Sequence, residues 1–348
     1  MKEPGYNMGE KRVTFKDIAD YTGFSKTTIS RYFNNPDYLT PENRQKISTA
    51  LKELHYKENK VAQILARGET EYIGLIVPHM FMSFYSHLLD QFLHTYDYFD
   101  YKFLVFSGGA DPVSERKYIK ELLSYQIEGL VILSHMIPSE ELASYDIPVV
   151  AIEREDRAVS SVNTDNYTGG VMATELLIGN QCDQLIYVCT DSRQEVPSYD
   201  RYRGFLDTCQ KNGIAHDAFF RDSVFSYKMM YEFSEQALNS IFNRYDGKKK
   251  GIFCSNDVTA NIMLNLLFRK YGCLPDDFRI IGFDDSPTAQ EAVLPLSSIR
   301  QQIDLIVTEA MRILDSQIRA RKEDPSCTLH PDHSLIEPRL IIRQTTPG

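Results

Sequence analysis

No stretch of the chain approaches the roughly 20 consecutive apolar residues that a membrane-spanning helix needs. The opening MKEPGYNMGEKR lacks the apolar centre of a signal peptide, so a cytoplasmic protein with no membrane partner is expected. Cysteine is sparse. Cys182, Cys189, Cys209, Cys254, Cys273 and Cys327 form no CxxC pair and no spacing that teams thiols with histidines as metal ligands. Reduced, mostly core thiols follow. There is no GxxxxGK[ST], HExxH or GxSxG, and no GxGxxG after a strand, so nucleotide hydrolysis, zinc proteolysis, esterase and dinucleotide chemistry lack their local signatures. The chain reads as a non-enzyme without a cofactor. Gly247-Lys248-Lys249-Lys250-Gly251 is a solvated turn by this reading, and His330-Pro331-Asp332-His333 a surface loop without a third metal ligand.

What is present is the balance of a soluble globular protein, 43% apolar and 25% charged over 348 residues, enough for a small domain and a large or bilobed one. Charge is placed unevenly. Ten lysines and arginines against six acids leave residues 11–60 at +4, while the net total is −10.

Within that basic stretch, Thr14 with Asp17 three residues on reads as a helix N-cap with an acidic first turn, and Gly23 as its stop. Ser25 caps a second helix after a tight turn, with Ile29 and Phe33 facing inward, which is helix-turn-helix spacing. Asn34-Asn35-Pro36-Asp37 reads as a loop. Thr40-Pro41-Glu42 opens a third helix carrying Ile47, Leu51 and Leu54. Lys26, Thr27, Ser30 and Arg31 on the outer side of the second helix are hydrogen-bonding residues suited to base edges and phosphates. The 58–70 stretch that follows is helix-compatible but too short to hold a helix alone, so its order is expected to depend on a partner.

From Tyr72 onward short apolar runs (73–77, 103–106, 129–133, 149–152, 185–189, 251–254, 280–283) alternate with helical stretches, the pattern of parallel sheets covered on both faces. About 270 residues accommodate two such sheets. Ligands in open α/β sheets sit beyond the carboxyl ends of strands, where Asp284-Asp285 and Asn256-Asp257 fall; Asp165 stands before a predicted helix.

Val13-Thr14-Phe15-Lys16-Asp17-Ile18-Ala19, Ser25-Lys26-Thr27-Thr28-Ile29-Ser30-Arg31 and Asn59-Lys60-Val61-Ala62 resemble the opening of the lactose-repressor (LacI/GalR) family. Phe84-Tyr85, Asn163-Thr164-Asp165-Asn166, Arg201-Tyr202-Arg203-Gly204-Phe205, Ser255-Asn256-Asp257, Ile281-Gly282-Phe283-Asp284-Asp285 and Ser298-Ile299-Arg300-Gln301 continue the likeness in order. The resemblance implies a small all-α helix-turn-helix domain (11–57) after a flexible tail (1–10), a hinge (58–70), and an α/β domain (71–348) of two doubly wound lobes like a periplasmic sugar-binding protein. Lobe 1 is expected at about 71–165 and 299–325, lobe 2 at about 166–298 and 326–348.

It further implies that Lys26, Thr27 and Arg31 read bases, that Ser25 and Thr14 contact phosphates, and that Leu65, with Asn59, Lys60 and Ala62, meets the minor groove as a wedge-bearing hinge. Glu58 stands where the family often has proline. For the effector, Arg201, Asp284, Asp165 and Asn256 supply the polar contacts that a hydroxyl-rich ligand needs, Phe84 and Phe225 are candidate ring-stacking walls, and Gln301 sits on a crossover between lobes. The expected function is a homodimeric repressor of a carbohydrate-use operon, binding a pseudo-palindromic operator under control of a mono- or disaccharide. The alternatives are a co-repressed regulator answering to a non-sugar metabolite, or a sugar sensor that does not touch DNA.

Overall fold

The computed structural model describes residues 13–57, 69–78, 80, 82–108, 111–154, 157–191, 196–221 and 226–347. The tail 1–10 and the hinge positions Asn59, Lys60, Ala62 and Leu65 lie outside the described residues, as does Phe225. The chain divides into two compact units between Glu69 and Thr70.

In the smaller unit α1 (Phe15–Thr22) begins at a reciprocal cap: Thr14 Oγ1 accepts the Asp17 N–H, and Asp17 Oδ2 accepts the Thr14 N–H at 2.7 Å. Gly23, at φ 75°, ends it in the left-handed conformation that a side chain would strain. Ser25 Oγ accepts the Thr28 N–H at 3.1 Å to open α2 (Lys26–Asn34), and Thr40 with Pro41 opens α3 (Pro41–Glu53). The loop expected around Pro36 is a 3-10 turn, Pro36–Tyr38, and it delivers Leu39 into the core. Ile18, Ile29 and Ile47 are wholly enclosed there, each burial contributing about 1.5–3 kcal/mol. Phe15 stacks on Phe33 at 5.2 Å and Tyr56 leans on Phe33 at 5.8 Å, closing the bottom of the core.

The larger unit holds two six-stranded sheets of matching order. The first comprises β1 (Tyr72–Val77), β2 (Lys102–Ser107), β3 (Gly129–Ile132), β4 (Val149–Ile152), β5 (Ser160–Thr164) and β11 (His333–Ile336), in the order β11-β5-β4-β3-β1-β2, all parallel. The second comprises β6 (Gln184–Cys189), β7 (Ala215–Phe220), β8 (Lys250–Cys254), β9 (Phe278–Asp284), β10 (Ser297–Arg300) and β12 (Arg339–Ile341), in the order β12-β10-β9-β8-β6-β7, with only β12 antiparallel. Helices cover both faces, as parallel strands buried on both sides require. On the first sheet they are α4 (Ser83–His94), α5 (Tyr96–Phe99), α6 (Pro112–Ser124), α7 (Ser139–Ala143) and α13 (Ile303–Glu323). On the second they are α8 (Asn166–Gly179), α9 (Pro197–Asn212), α10 (Tyr227–Arg244), α11 (Asp257–Tyr271) and α12 (Pro287–Glu291).

The chain passes between lobes after β5, after β10 and after β11. The expected lobe boundaries need correcting at two of these points. Residues 333–336, assigned to lobe 2, form β11 of the first sheet, held by the Ser161 N–H to Asp332 O bond (2.9 Å) and by Ser161 Oγ against His333 Nδ1 (2.9 Å). His330 to His333 is therefore not all loop. Ile299 and Arg300, assigned to lobe 1, still belong to β10 of the second sheet.

Helices α8 and α9 approach backbone to backbone because each offers a glycine. A Cβ on Gly170 would lie 2.3 Å from the Arg201 carbonyl oxygen, and one on Gly204 would lie 2.3 Å from that of Tyr167. Neither partner is a flexible side-chain end. This close contact fixes the height of Arg201 above the second sheet. Either Gly170→Ala or Gly204→Ala is expected to destabilise the large unit by at least about 1–3 kcal/mol, the usual cost of overpacking; a thermal unfolding midpoint unchanged from the parent chain contradicts this packing account.

Candidate functional site

The carboxyl ends of the strands of both sheets converge between the lobes, and the side chains there meet around one buried cation. Arg201, 7% exposed on α9, donates from Nε to Asn166 Oδ1 (2.7 Å) and from Nη1 to the Ser255 carbonyl (2.6 Å). Its Nη2 lies 3.5 Å from Glu153 Oε2 and its Nη1 3.9 Å from Asp284 Oδ1. The guanidinium stacks 3.6 Å above the Phe283 ring centroid. Gln301 bridges the lobes: its Nε2 donates to Asp284 Oδ1 (2.7 Å) and its Oε1 accepts from Thr164 Oγ1 (2.6 Å).

Two buried carboxylates thus share one guanidinium. Burial pushes the Asp284 carboxyl up to about 7, with Arg201 and the Gln301 amide pulling it down and the Glu153 charge adding to the rise. Backbone strain gathers at the same place, since Glu153 (φ 51°), Asp284 (φ 112°) and Asp285 (φ 52°) are non-glycine residues at positive φ. Such conformations persist where the surrounding bonds over-determine them. Here the Thr164 N–H holds Glu153 Oε1 at 2.5 Å, and Arg300 and Arg343 both grip Asp285 at 2.6 Å.

Of the effector residues read from the sequence, Arg201, Asp284 and Gln301 come together here. Asn256 stands beside them through Ser255, but its Oδ1 caps α11 by accepting the Thr259 N–H at 2.9 Å. Asp165 does not join the group. Its two carboxylate oxygens accept from Thr168 N–H (2.9 Å) and Thr168 Oγ1 (2.7 Å), capping α8. Phe84, 6% exposed, packs in the core of the first lobe. Its neighbour Tyr85, edge-on to it at 5.4 Å, turns toward the cluster instead. Burial and then the Asp284 charge hold the Tyr85 phenol above its ordinary range, with Arg201 opposing.

Glu153 is the residue that sequence reasoning misses outright. A signal for it exists, because it follows β4 directly and so occupies the same kind of strand end as Asp284. Asp257, also at such an end, serves the fold. It accepts from Ser298 Oγ (2.6 Å), the Ser286 N–H (2.7 Å) and Ser286 Oγ (3.0 Å), while burial and the Asp284 charge push its own carboxyl far up. Across the rim, Ser83 Oγ meets Thr288 Oγ1 at 2.7 Å and Met82 packs on Met230, Val258 and Ile262, so the two lobes touch there as well as at Gln301.

On the small unit, Lys26, Thr27 and Arg31 are exposed along one face of α2, with Ser30 half-buried among them. The Thr14 and Ser25 hydroxyls are engaged as helix caps. Among the described residues no group of three or more histidines, cysteines and carboxylates could hold a metal ion, and no helix is long and apolar enough to cross a membrane.

Residues 14–59 match the bacterial regulatory proteins of the lacI family, and residues 174–346 match the periplasmic binding protein-like domain. The chain belongs to the lacI family. A sucrose operon repressor of Pediococcus pentosaceus is 28% identical over 323 residues, 92% of this chain and 95% of that protein. A solved lac repressor dimer bound to operator and an anti-inducer shares the fold with TM-score 0.79 at 20% identity, over 97% of this chain and 100% of that one. A periplasmic binding protein/LacI regulator from Alkaliphilus metalliredigens, complexed with D-xylulofuranose, superposes with TM-score 0.70 at 25% identity over 80% of this chain and 100% of its own. In this lacI-family chain the helix-turn-helix unit and the Arg201 cluster are therefore parts of one DNA-binding transcription regulator.

The raised Asp284 carboxyl has a consequence for stability. Its folded value, about 7, exceeds the unfolded value near 4, so its contribution is fully present below about pH 4 and is lost as pH rises through 7. Asp284→Asn removes that loss and relieves Asp257 as well. Urea unfolding at a series of pH values from 5 to 8 should show the variant gaining on the parent chain as pH climbs toward 7, by at most about 1.4 kcal/mol per pH step of one; a constant difference across that range contradicts the burial of a titrating carboxyl.

Proposed function

We propose that this regulator represses a carbohydrate-use operon from the cytoplasm, as a homodimer on a pseudo-palindromic operator, and that a neutral mono- or disaccharide bound between the lobes sets its affinity for DNA. The observation that carries the reading is the buried group Arg201, Asp284, Glu153 and Gln301 at the strand ends of both lobes. It offers a forked donor and two carboxylate acceptors, with Tyr85 as an aromatic wall, which is the complement of sugar hydroxyls and a sugar's C–H face. A ligand taking hydrogen bonds from both lobes favours the closed arrangement, and a different spacing of the linkers at Thr70 follows from it. Binding of sugar and operator is then reciprocally coupled. The sucrose-operon and xylulofuranose relatives support the sugar class.

On the DNA side, Lys26, Thr27, Ser30 and Arg31 face the major groove, Thr14 and Ser25 bring helix amino termini toward phosphates, and Asn59, Lys60, Ala62 and Leu65 engage the minor groove between half-sites. Binding of the purified chain to duplex DNA from upstream of its gene, titrated with salt and repeated with a panel of sugars, tests the reading. A specific complex that weakens log-linearly with salt and shifts with one sugar is expected. A sugar that binds without altering any DNA complex contradicts it.

Two substitutions divide the proposal. Arg31→Ala and Lys26→Ala are each expected to cost about 1–3 kcal/mol of operator affinity and to relax sequence preference. Equal affinity for operator and random duplex in the parent chain contradicts base reading. Arg201→Lys keeps the buried charge but loses the fork. It should weaken the sugar response at least tenfold while the operator complex forms as before; Arg201→Ala is the poorer test, because removing the cation strands Glu153 and costs about 3–5 kcal/mol of stability.

A further inference from the structure

We infer that the large unit carries a second binding site, for a small neutral polyhydroxylated molecule of the monosaccharide or polyol class, beside the crossovers between the lobes and separate from the Arg201 cleft. A cavity of about 320 Å3 lies there, within the roughly 300–1,000 Å3 range of small-molecule sites. It is lined by Asp165 from the first crossover, Tyr167 from α8, Pro197, Asp200 and Arg203 from α9, and Leu335 from β11. Thr164 and Asn166 form the partition between the two sites. They reach the cavity wall, but their side chains bond away from it, to Gln301 and to Arg201 and Glu153.

The walls differ in chemistry. Pro197, Leu335 and the Tyr167 ring give an apolar side, and Leu335, 71% exposed on the edge strand β11, leaves its side chain open to an occupant. Facing them, Arg203 and Asp200 form an ion pair at 2.8 Å, with the guanidinium 5.9 Å over the Tyr167 ring. Asp165 accepts two bonds as the cap of α8 and, as a carboxylate, has about two lone-pair positions left. Its charge is offset by the amino terminus of α8, and that of Asp200 by Arg203, so the cavity has no strong preference for an ion. An amphipathic ring with hydroxyls at its edge satisfies both walls.

Because Leu335 belongs to the first sheet and Asp200 and Arg203 to the second lobe, an occupant bridges the lobes at their crossovers and biases their angle. The inference does not rest on the cleft being a sugar site.

Saturation-transfer NMR on the full-length chain, with D-glucose, D-fructose, D-ribose and sorbitol as separate millimolar probes, tests it. Asp284→Asn disables the cleft, while Arg203→Gln strips the forked donor and Leu335→Trp fills the cavity, both at exposed positions. The Asp284→Asn chain should still give transfer to at least one probe, and adding either of the other two substitutions should cut that signal at least fivefold with the unfolding midpoint unchanged. No transfer to any of the four probes from the Asp284→Asn chain, or transfer indifferent to both Arg203→Gln and Leu335→Trp, overturns the inference. If the cleft reading alone is wrong, the parent and Asp284→Asn chains give the same signal and Arg203→Gln and Leu335→Trp still abolish it.

Discussion

Everything in the large unit turns on how a guanidinium is kept out of water. Arg201 is almost fully buried, and a buried cation is tolerable only when paired and hydrogen-bonded. Its partners come from four places in the chain: Asn166 at the start of α8, Glu153 after β4, Ser255 after β8, and Phe283 and Asp284 at the end of β9. Satisfying one side chain therefore brings the carboxyl ends of both sheets to one point. The glycines at 170 and 204 serve the same end, since only a bare backbone lets α9 sit low enough on α8 to aim Arg201 inward.

The charges in the cluster are not matched. With two carboxylates against one guanidinium, the cluster holds an excess of acceptors, and Asp284 is poised near neutrality because desolvation outweighs the pull of Arg201 and Gln301. Hydroxyl donors from a ligand relieve that excess more readily than another anion does. Gln301 ties the same carboxylate to Thr164 in the other lobe, so any change in how Asp284 is satisfied reaches the crossover two residues before α13 begins. The strained backbone at Glu153, Asp284 and Asp285 lies at the contacts a change of lobe angle would disturb.

Legibility in the sequence followed hydrophobic pattern closely. Apolar strands such as β1, β3, β4 and β9 stood out, whereas β5, Ser-Ser-Val-Asn-Thr, did not. Its serines are buried because Gln317 donates to Ser160 Oγ, which also accepts the Asp332 N–H, and Ser161 pairs with His333. Those partners lie more than 150 residues downstream, beyond any local window. The edge strands β7 and β11 escaped for the related reason that one flank is open and polar residues suffice there. Helices were read more fully, since capping residues and a 3.6-residue apolar period are local signals.

By itself the sequence determined the elements whose causes are local: three capped helices in a basic segment, alternating strands and helices after it, and an arginine and an aspartate in motifs from which a shared site was expected. Tertiary structure decided which polar residue does which work. Asp165, Asn256 and Asp257 look alike as acids and amides at strand-to-helix corners, yet the first two cap helices, the third locks Ser286 and Ser298, and Glu153 takes the place beside Arg201. A corner residue's type is written in the chain. Whether its oxygen is already occupied depends on which donors the fold brings within about 3 Å, and those donors come from elements far apart in the sequence.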